Sequence, residues 1–424
     1  MKTARRLGVS LPSILFLSLS ASAARAEAPP DFAEPTIVHV GEQFLIHEHY
    51  TRSHANYLLP VNELGVPGAR IQPAEPVLSI ADGPTIALGL LAKQSETDMA
   101  AAVGPFTIAT IEASGRITKT NIEVPCAGKI ARGIDGWLYA GVCDGKMHRR
   151  FIDDRLHARE LTAPTASTGA VYAATMVGDH AFTFTQTGDH SECRDLAADG
   201  TDVIRDLPSP TALVGGVSEG YFIPKKKGRT MSISTLAGDV EPRTIATIDS
   251  WMDDNAIALS RDEVGTFVAH GDPAMENNNY TSIFEFRDPN GKVVSSGRVA
   301  GVRFFLGGAC NSRGCAAVNG YYPGVLFASR NGSSCSVSNL PPREGEPAIT
   351  VRARCEATPS AVVPPVRSEA EGGLPTQPGY QRSGCTMAGP NSSTVTISWL
   401  PAVAIAALIG IVLRRRAGRA REAR

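Results

Sequence analysis

The chain is 424 residues long and close to neutral, with 41 Lys and Arg against 42 Asp and Glu. Basic residues crowd its two ends, so the long middle is net acidic and repels phosphate backbones, which argues against nucleic acid as a partner. Eight cysteines without a single C-x-x-C spacing argue against a zinc scaffold and, in an exported chain, predict disulfides.

Residues 1–26 open with Lys2, Arg5 and Arg6, continue with an apolar stretch from Leu11 to Leu19, and end in Ala24, Arg25 and Ala26. That order predicts a cleavable signal peptide, with the mature chain beginning at Glu27. The apolar stretch is too short to cross about 30 Å of hydrocarbon as a stable helix.

From 27 to 356 no long helical periodicity appears, while short apolar or β-branched runs recur between glycine-rich turns, which predicts an all-β outer domain. Six times an acidic turn precedes an apolar strand, at Glu42, Asp82, Asp135, Asp179, Glu219 and Asp262, and a degenerate seventh copy has Arg313 in the equivalent place. A second turn follows each at shorter range, at Gly65, Gly115, Gly200, Gly238, Gly291 and Gly332, with Asp153-Asp154 in the third copy. Two offset turns per period of about 45 residues describe a four-stranded antiparallel unit of β-propeller blade length, so the expected fold is a propeller of seven four-stranded blades. A pair of β-sandwiches, or a ring of six or eight blades, are the alternatives. The recurrent acidic residues read as turn formers that satisfy neighbouring backbone amides. The run 347–357 reads as a closing strand that pairs with the N-terminal blade.

Candidate chemistry is sparse along this stretch. His47 and His49 alternate in a strand and share a face, which makes them the metal candidates, but Thr51 breaks H-E-x-x-H and paired histidines on a strand are commoner. Ser218 lies in G-x-S-x-G, yet Pro224 follows where a nucleophile elbow needs a helix, so it reads as a turn. Asp179-His180 and Asp189-His190, near Cys193, flank one extended run and stand roughly 30 Å apart at about 3.3 Å per residue. Lys225, Lys226 and Lys227 read as a solvated loop. The polar segment 272–280 and the segment 92–102 are the preferred contact loops. No phosphate-binding or dinucleotide fingerprint occurs, and no cofactor is expected.

Proximity suggests Cys126 with Cys143, Cys310 with Cys315, and Cys335 with Cys355, although spacing does not fix connectivity; Cys193 and Cys385 are left over. Residues 357–393 are proline-rich and predict a disordered stalk. Thr394 to Leu413 is twenty residues without a charge, bounded by Trp399 near one end and six arginines at the other. This predicts a transmembrane helix at 394–413 with a basic cytoplasmic tail at 414–424.

Gly384-Cys385, a polar spacer, the apolar helix and the arginine cluster together resemble the MYXO-CTERM sorting tail of myxobacterial surface proteins. The resemblance covers residues 384–424 only, and Ser383 stands where a second cysteine is frequent. It implies Cys385 as the processing or lipid-attachment position and a sorting protease as a partner. The combined expectation is an envelope or cell-surface protein, with its bulk outside and the membrane engaged through the C-terminal helix. Its outer domain is expected to be a binding or scaffold module for a protein or glycan, with no catalytic residue assigned. A propeller lyase or hydrolase working at the channel mouth is the alternative, and a purely structural envelope protein a third reading.

Overall fold

The computed structural model describes residues 33–358, apart from 51–53, 93–102, 189, 226–229, 239, 251–257, 263–264, 274–280, 302–304, 320–323 and 343–353. All regular elements among the described residues are β-strands, gathered into seven antiparallel sheets. Blade 1 holds β1 (Ala33–Val40), β2 (Gln43–Tyr50) and β3 (Asn56–Val61). Blade 2 holds β4 (Val77–Ala81), β5 (Ala87–Leu91), β6 (Val103–Ile111) and β7 (Ile117–Cys126). Blade 3 holds β8 (Gly128–Arg132), β9 (Gly136–Cys143), β10 (Lys146–Asp153), β11 (Ala158–Glu160) and β12 (Thr165–Ala166). Blade 4 holds β13 (Ala170–Val177), β14 (His180–Thr187), β15 (His190–Leu196) and β16 (Asp202–Arg205). Blade 5 holds β17 (Pro210–Val214), β18 (Gly220–Pro224), β19 (Thr230–Leu236) and β20 (Thr244–Asp249). Blade 6 holds β21 (Ala258–Asp262), β22 (Gly265–Gly271), β23 (Thr281–Arg287) and β24 (Val293–Ala300). Blade 7 holds β25 (Phe305–Cys310), β26 (Gly314–Asn319), β27 (Gly324–Ser329) and β28 (Cys335–Asn339), and β29 (Arg354–Thr358) follows.

The protein is a seven-bladed β-propeller, and both turn signals of the repeat fall where four-stranded units require them. Each acidic or Arg313 turn joins the first and second strands of its blade, and each glycine or Asp153-Asp154 turn follows the third strand. Because the strands alternate in direction, all of these turns lie on one rim, and the loops between second and third strands lie on the other. The turn glycines are needed for their backbone: Gly65, Gly115, Gly200, Gly291 and Gly332 all have φ between +63° and +88°.

Blade 1 lacks a regular fourth strand. Pro67 and Ile71 bridge Val61 and Leu58 in its place, and Pro67, Pro73 and Pro76 remove the donors that a full ladder would use.

The second strand of each blade explains how the ring coheres. Its side chains alternate between the blade before and the blade after. Phe44 and Ile46 of β2 pack toward blade 7 while Leu45 packs toward blade 2, and Trp137 and Tyr139 of β9 face blade 2 while Leu138 and Ala140 face blade 4. Such strands read as short continuous apolar runs because both faces are covered, whereas outer strands such as β16 and β28 are largely exposed. The core is thereby divided into seven slabs, one at each blade boundary.

Ring closure differs from the expectation. The described end of the run at 347–357, β29, does not pair with the N-terminal blade but adds a fifth strand outside β24 of blade 6; residues 347–353 lie outside the described residues. Blades 7 and 1 instead meet face to face, with Val318, Val325 and Phe327 against Ile37, Phe44 and Leu59. Asn311 donates its side-chain amide to the carbonyls of Glu42 at 2.7 Å and Glu63 at 3.3 Å, and the Ser312 hydroxyl donates to the Glu42 carboxylate. A closing strand is unnecessary because blade 1 already buries its own inner strand in that slab. β29 also runs to Thr358, into the segment expected to be stalk.

The three predicted disulfides are present: Cys126–Cys143, Cys310–Cys315 and Cys335–Cys355. The first ties blade 2 to blade 3, the second closes a hairpin within blade 7, and the third fastens β29 to β28. The signal peptide, most of the stalk, the apolar segment 394–413, the tail and Cys385 lie outside the described residues.

Candidate functional site

Titratable side chains from different blades converge at the turn rim between blades 1, 2 and 3. The turn after β4 lies against the end of β1: Val40 and Gly83 form a parallel bridge, and the Gly83 amide donates to the His39 carbonyl at 3.3 Å. Gly83 is required there, since a Cβ would stand 2.0 Å from the Ile86 carbonyl oxygen. This approach sets the Asp82 carboxyl 3.3 Å from His39 Nδ1. Trp137 of blade 3 donates its indole N–H to the Asp82 carbonyl at 2.7 Å, and the Arg132 guanidinium lies 4.4 Å over the Trp137 ring while pairing with Asp154 at 2.6 Å.

His39, Asp82 and Trp137 are each 2% exposed or less. Burial pushes the Asp82 carboxyl up to about 8, partly opposed by the Arg132 charge. Burial drives the His39 imidazole down to about 4, and Arg132 adds to that effect. At neutral pH the pair is therefore a carboxylic acid beside a neutral imidazole. Neither Asp82 oxygen has a well-aligned hydrogen bond. Such a pair can shuttle a proton, but it is packed away from solvent.

Asp82 does more than its expected turn role, because its carboxyl also faces His39 of another blade. The side chains that accept local turn amides stand mostly at the second turn of each blade: Asn62, Asp153, Asp199, Asp288 and Asn331. Sequence reasoning placed this role one turn too early because Asp and Glu recur at the first turn.

Other polar networks serve packing between strands and blades. In blade 4 the Asp195 carboxylate takes His180 Nδ1 at 2.7 Å and Arg205 at 3.2 Å, and Arg205 also donates to carbonyls of blade 5. Arg149, fully buried, forks onto Asp202 across the boundary of blades 3 and 4. In blade 1 the Arg70 guanidinium is bidentate on Glu48, at 2.7 and 3.0 Å.

The sequence candidates fall as follows. His47 and His49 do share the face of β2 toward blade 2, but His47 Nε2 lies 3.1 Å from Asn56 Oδ1, and Asn56 in turn holds the backbone of Val77 in blade 2. Burial, then the neighbouring His49, brings His47 down to about 4. Ser218 sits in the first turn of blade 5, with no helix after it. His180 and His190 begin β14 and β15, at opposite ends of β14, as the extended run required. Cys193 is a buried thiol in the slab between blades 4 and 5, and burial raises it well above the ordinary thiol range. The segments 92–102 and 272–280 fall in sequence between the second and third strands of blades 2 and 6; residues 93–102 and 274–280 lie outside the described residues, as do Asp189, Lys226 and Lys227.

Sequence reasoning missed two features. One is an open groove of about 620 Å³ between blades 2 and 3, lined by Thr107, Lys119, Thr120, Asn121, Glu123 and Arg150. The other lies on the same boundary: the sulfurs of Cys126 and Cys143 and a ring nitrogen of His148 all stand within 4.8 Å of one another. The nearness of His148 to the 126–143 pair was legible only once β9 and β10 were known to be adjacent.

No protein-family model matches the chain, and no curated protein matches it in sequence. Among solved structures the chain is similar to TolB from Acinetobacter baumannii, at 9% identity and TM-score 0.34, covering 61% of each chain. It is similar to prolyl oligopeptidase B from Galerina marginata at 10% identity and TM-score 0.41, over 72% of this chain and 51% of that one. It is similar to SapL1 lectin, solved with alpha methyl fucoside, at 11% identity and TM-score 0.36, over 74% of this chain and 98% of that one. This chain thus spans about three fifths of TolB and half of the oligopeptidase, and these likenesses bring no function with them.

Proposed function

We propose that the protein is an exported, envelope-tethered propeller that binds a protein or glycan and does not turn it over. The observation that carries this reading is the contrast between two places. Where titratable groups of different blades meet, at His39 and Asp82, they are sealed beside Trp137. Where space is open, between blades 2 and 3, the walls carry hydroxyls, the Asn121 amide, the Glu123 carboxylate and two paired cations, Lys119 with Glu75 and Arg150 with Glu160. A polar groove of that kind suits hydrogen bonding to a sugar or peptide surface. Export and tethering rest on residues 1–26 and 394–424, and Cys385 is the proposed processing position.

A glycan array and envelope-protein pull-down with the outer domain tests the reading. Selective capture that weakens about tenfold in Asn121→Ala or Arg150→Ala supports the groove, in line with the 1–2 kcal/mol of a lost polar contact. Turnover of any captured glycan or peptide, abolished in Asp82→Asn, would establish the enzyme reading in its place. For the tether, Cys385→Ala is expected to shift the protein between membrane and surface fractions; an unchanged distribution removes that role.

A further inference from the structure

The group formed by Cys126, Cys143 and His148 has a donor chemistry that a disulfide alone does not require. Cys126 ends β7 in blade 2, Cys143 ends β9 in blade 3, and His148 stands on β10 opposite Gly141. Antiparallel pairing puts Gly141, Cys143 and His148 on one face of the blade 3 sheet, the face turned to blade 2. Gly141 keeps this place open for Tyr139 and the chain crossing from blade 2: a Cβ there would stand 2.4 Å from the Tyr139 hydroxyl and 2.7 Å from the Ala127 carbonyl. The Tyr139 hydroxyl donates to the Cys126 carbonyl at 2.7 Å and accepts the Cys126 amide at 3.3 Å, so the backbone of that cysteine is fixed independently of its sulfur bond. Cys126 is buried, while Cys143 and His148 are half-buried, which leaves an approach for a small ion.

We propose that Cys126, Cys143 and His148 form a thiol-gated site for a thiophilic divalent cation of the zinc type, shut while the disulfide stands. Opening it takes a dithiol: two electrons and two protons pass to the Cys126–Cys143 bond, giving two thiols, while the dithiol closes to its own disulfide. The cation then displaces the two thiol protons to solvent and forms two bonds to sulfur and one to the neutral imidazole of His148. Water completes a four-coordinate set, as in zinc sites with three protein ligands. Tetrahedral coordination with metal–sulfur bonds of about 2.3 Å needs the sulfurs about 3.8 Å apart. The Cα atoms are 5.5 Å apart, so side-chain rotation supplies that separation without moving either strand. The two remaining disulfides have no third donor of this kind among the described residues.

The test uses Co²⁺ as probe on the full-length protein in detergent, before and after treatment with a dithiol that is then removed. The expected result is one equivalent of Co²⁺ with a sulfur-to-cobalt charge-transfer band in the reduced protein and none in the oxidised one. Co²⁺ should also shield Cys126 and Cys143, and not Cys310 or Cys335, from alkylation as mapped by mass spectrometry. His148→Ala should weaken binding about tenfold or more, and His148→Cys should restore it. Circular dichroism of each variant separates loss of the site from loss of the fold. A band in the oxidised protein, shielding spread over all cysteines, or equal affinity in His148→Ala would overturn the proposal.

Discussion

Asp82 and His39 are buried against their own chemistry, and the consequence is a measurable pH dependence. Asp82 has a folded value of about 8 against an ordinary 3.8, so its contribution to stability is full below about pH 4 and is lost as pH rises through 8. His39 has a folded value of about 4 against an ordinary 6.5, so its contribution is full above pH 6.5 and is lost as pH falls through 4. Between pH 4 and 6.5 the two slopes oppose each other. Between 6.5 and 8 Asp82 acts alone, and stability should fall by about 2 kcal/mol as pH rises, at 1.36 kcal/mol per unit. Urea titrations at pH 6.5 and 8 should show that fall in the wild type and not in Asp82→Asn; equal falls in both would place the dependence elsewhere. The thiol of Cys193, raised by burial, should resist alkylation in the folded protein and react only after denaturation, as a timed thiol assay would show.

Single elements bear the load where blades touch. Gly65 sits in the second turn of blade 1 with φ of +78°, and a Cβ there would lie 2.5 Å from Phe327 Cβ in blade 7. Gly65→Ala therefore strains the backbone and wedges the 7/1 slab, and should lower stability by about 2–3 kcal/mol. The double variant with Phe327→Gly should lose less than the two single losses added together, because it removes the Phe327 Cβ that the wedge meets; strict additivity in denaturant midpoints would show that Gly65 acts through its own turn alone. β29 offers a second case. It lies along β24 and is fastened to β28 by Cys335–Cys355, a loop of 20 residues that stabilises by about 3 kcal/mol in the chain-entropy view. Replacing both cysteines by serine should lower the melting temperature while the far-ultraviolet spectrum keeps its strand signature. An unchanged melting temperature would mean that the ladder to β24 holds the strand unaided.

At the scale of the whole molecule the ring is a chain of seven equivalent slabs that happens to close. No slab belongs to one blade, so no blade can unfold without exposing the faces of two neighbours, and unfolding of the outer domain should be a single cooperative transition. Two calorimetric transitions would instead mark a weak boundary, and the 7/1 seam, joined among the described residues by packing and side-chain bonds, is the place to look for it. The blade number and the positions of the two turns in each blade were legible in the sequence, because turn chemistry is local: a glycine with positive φ or an Asp that accepts amides two and four positions on declares itself within five residues. The pairing of the six disulfide cysteines was legible for the same reason of proximity. What Asp82 faces, where His148 stands relative to Cys143 and which edge receives β29 were not legible, since each depends on strands brought together by ring curvature and not by order in the chain. Sequence alone determined the repeat, its period and its turns; only the tertiary structure decided how the circle closes and which distant side chains meet, because faces and edges acquire their neighbours once all seven sheets are stacked.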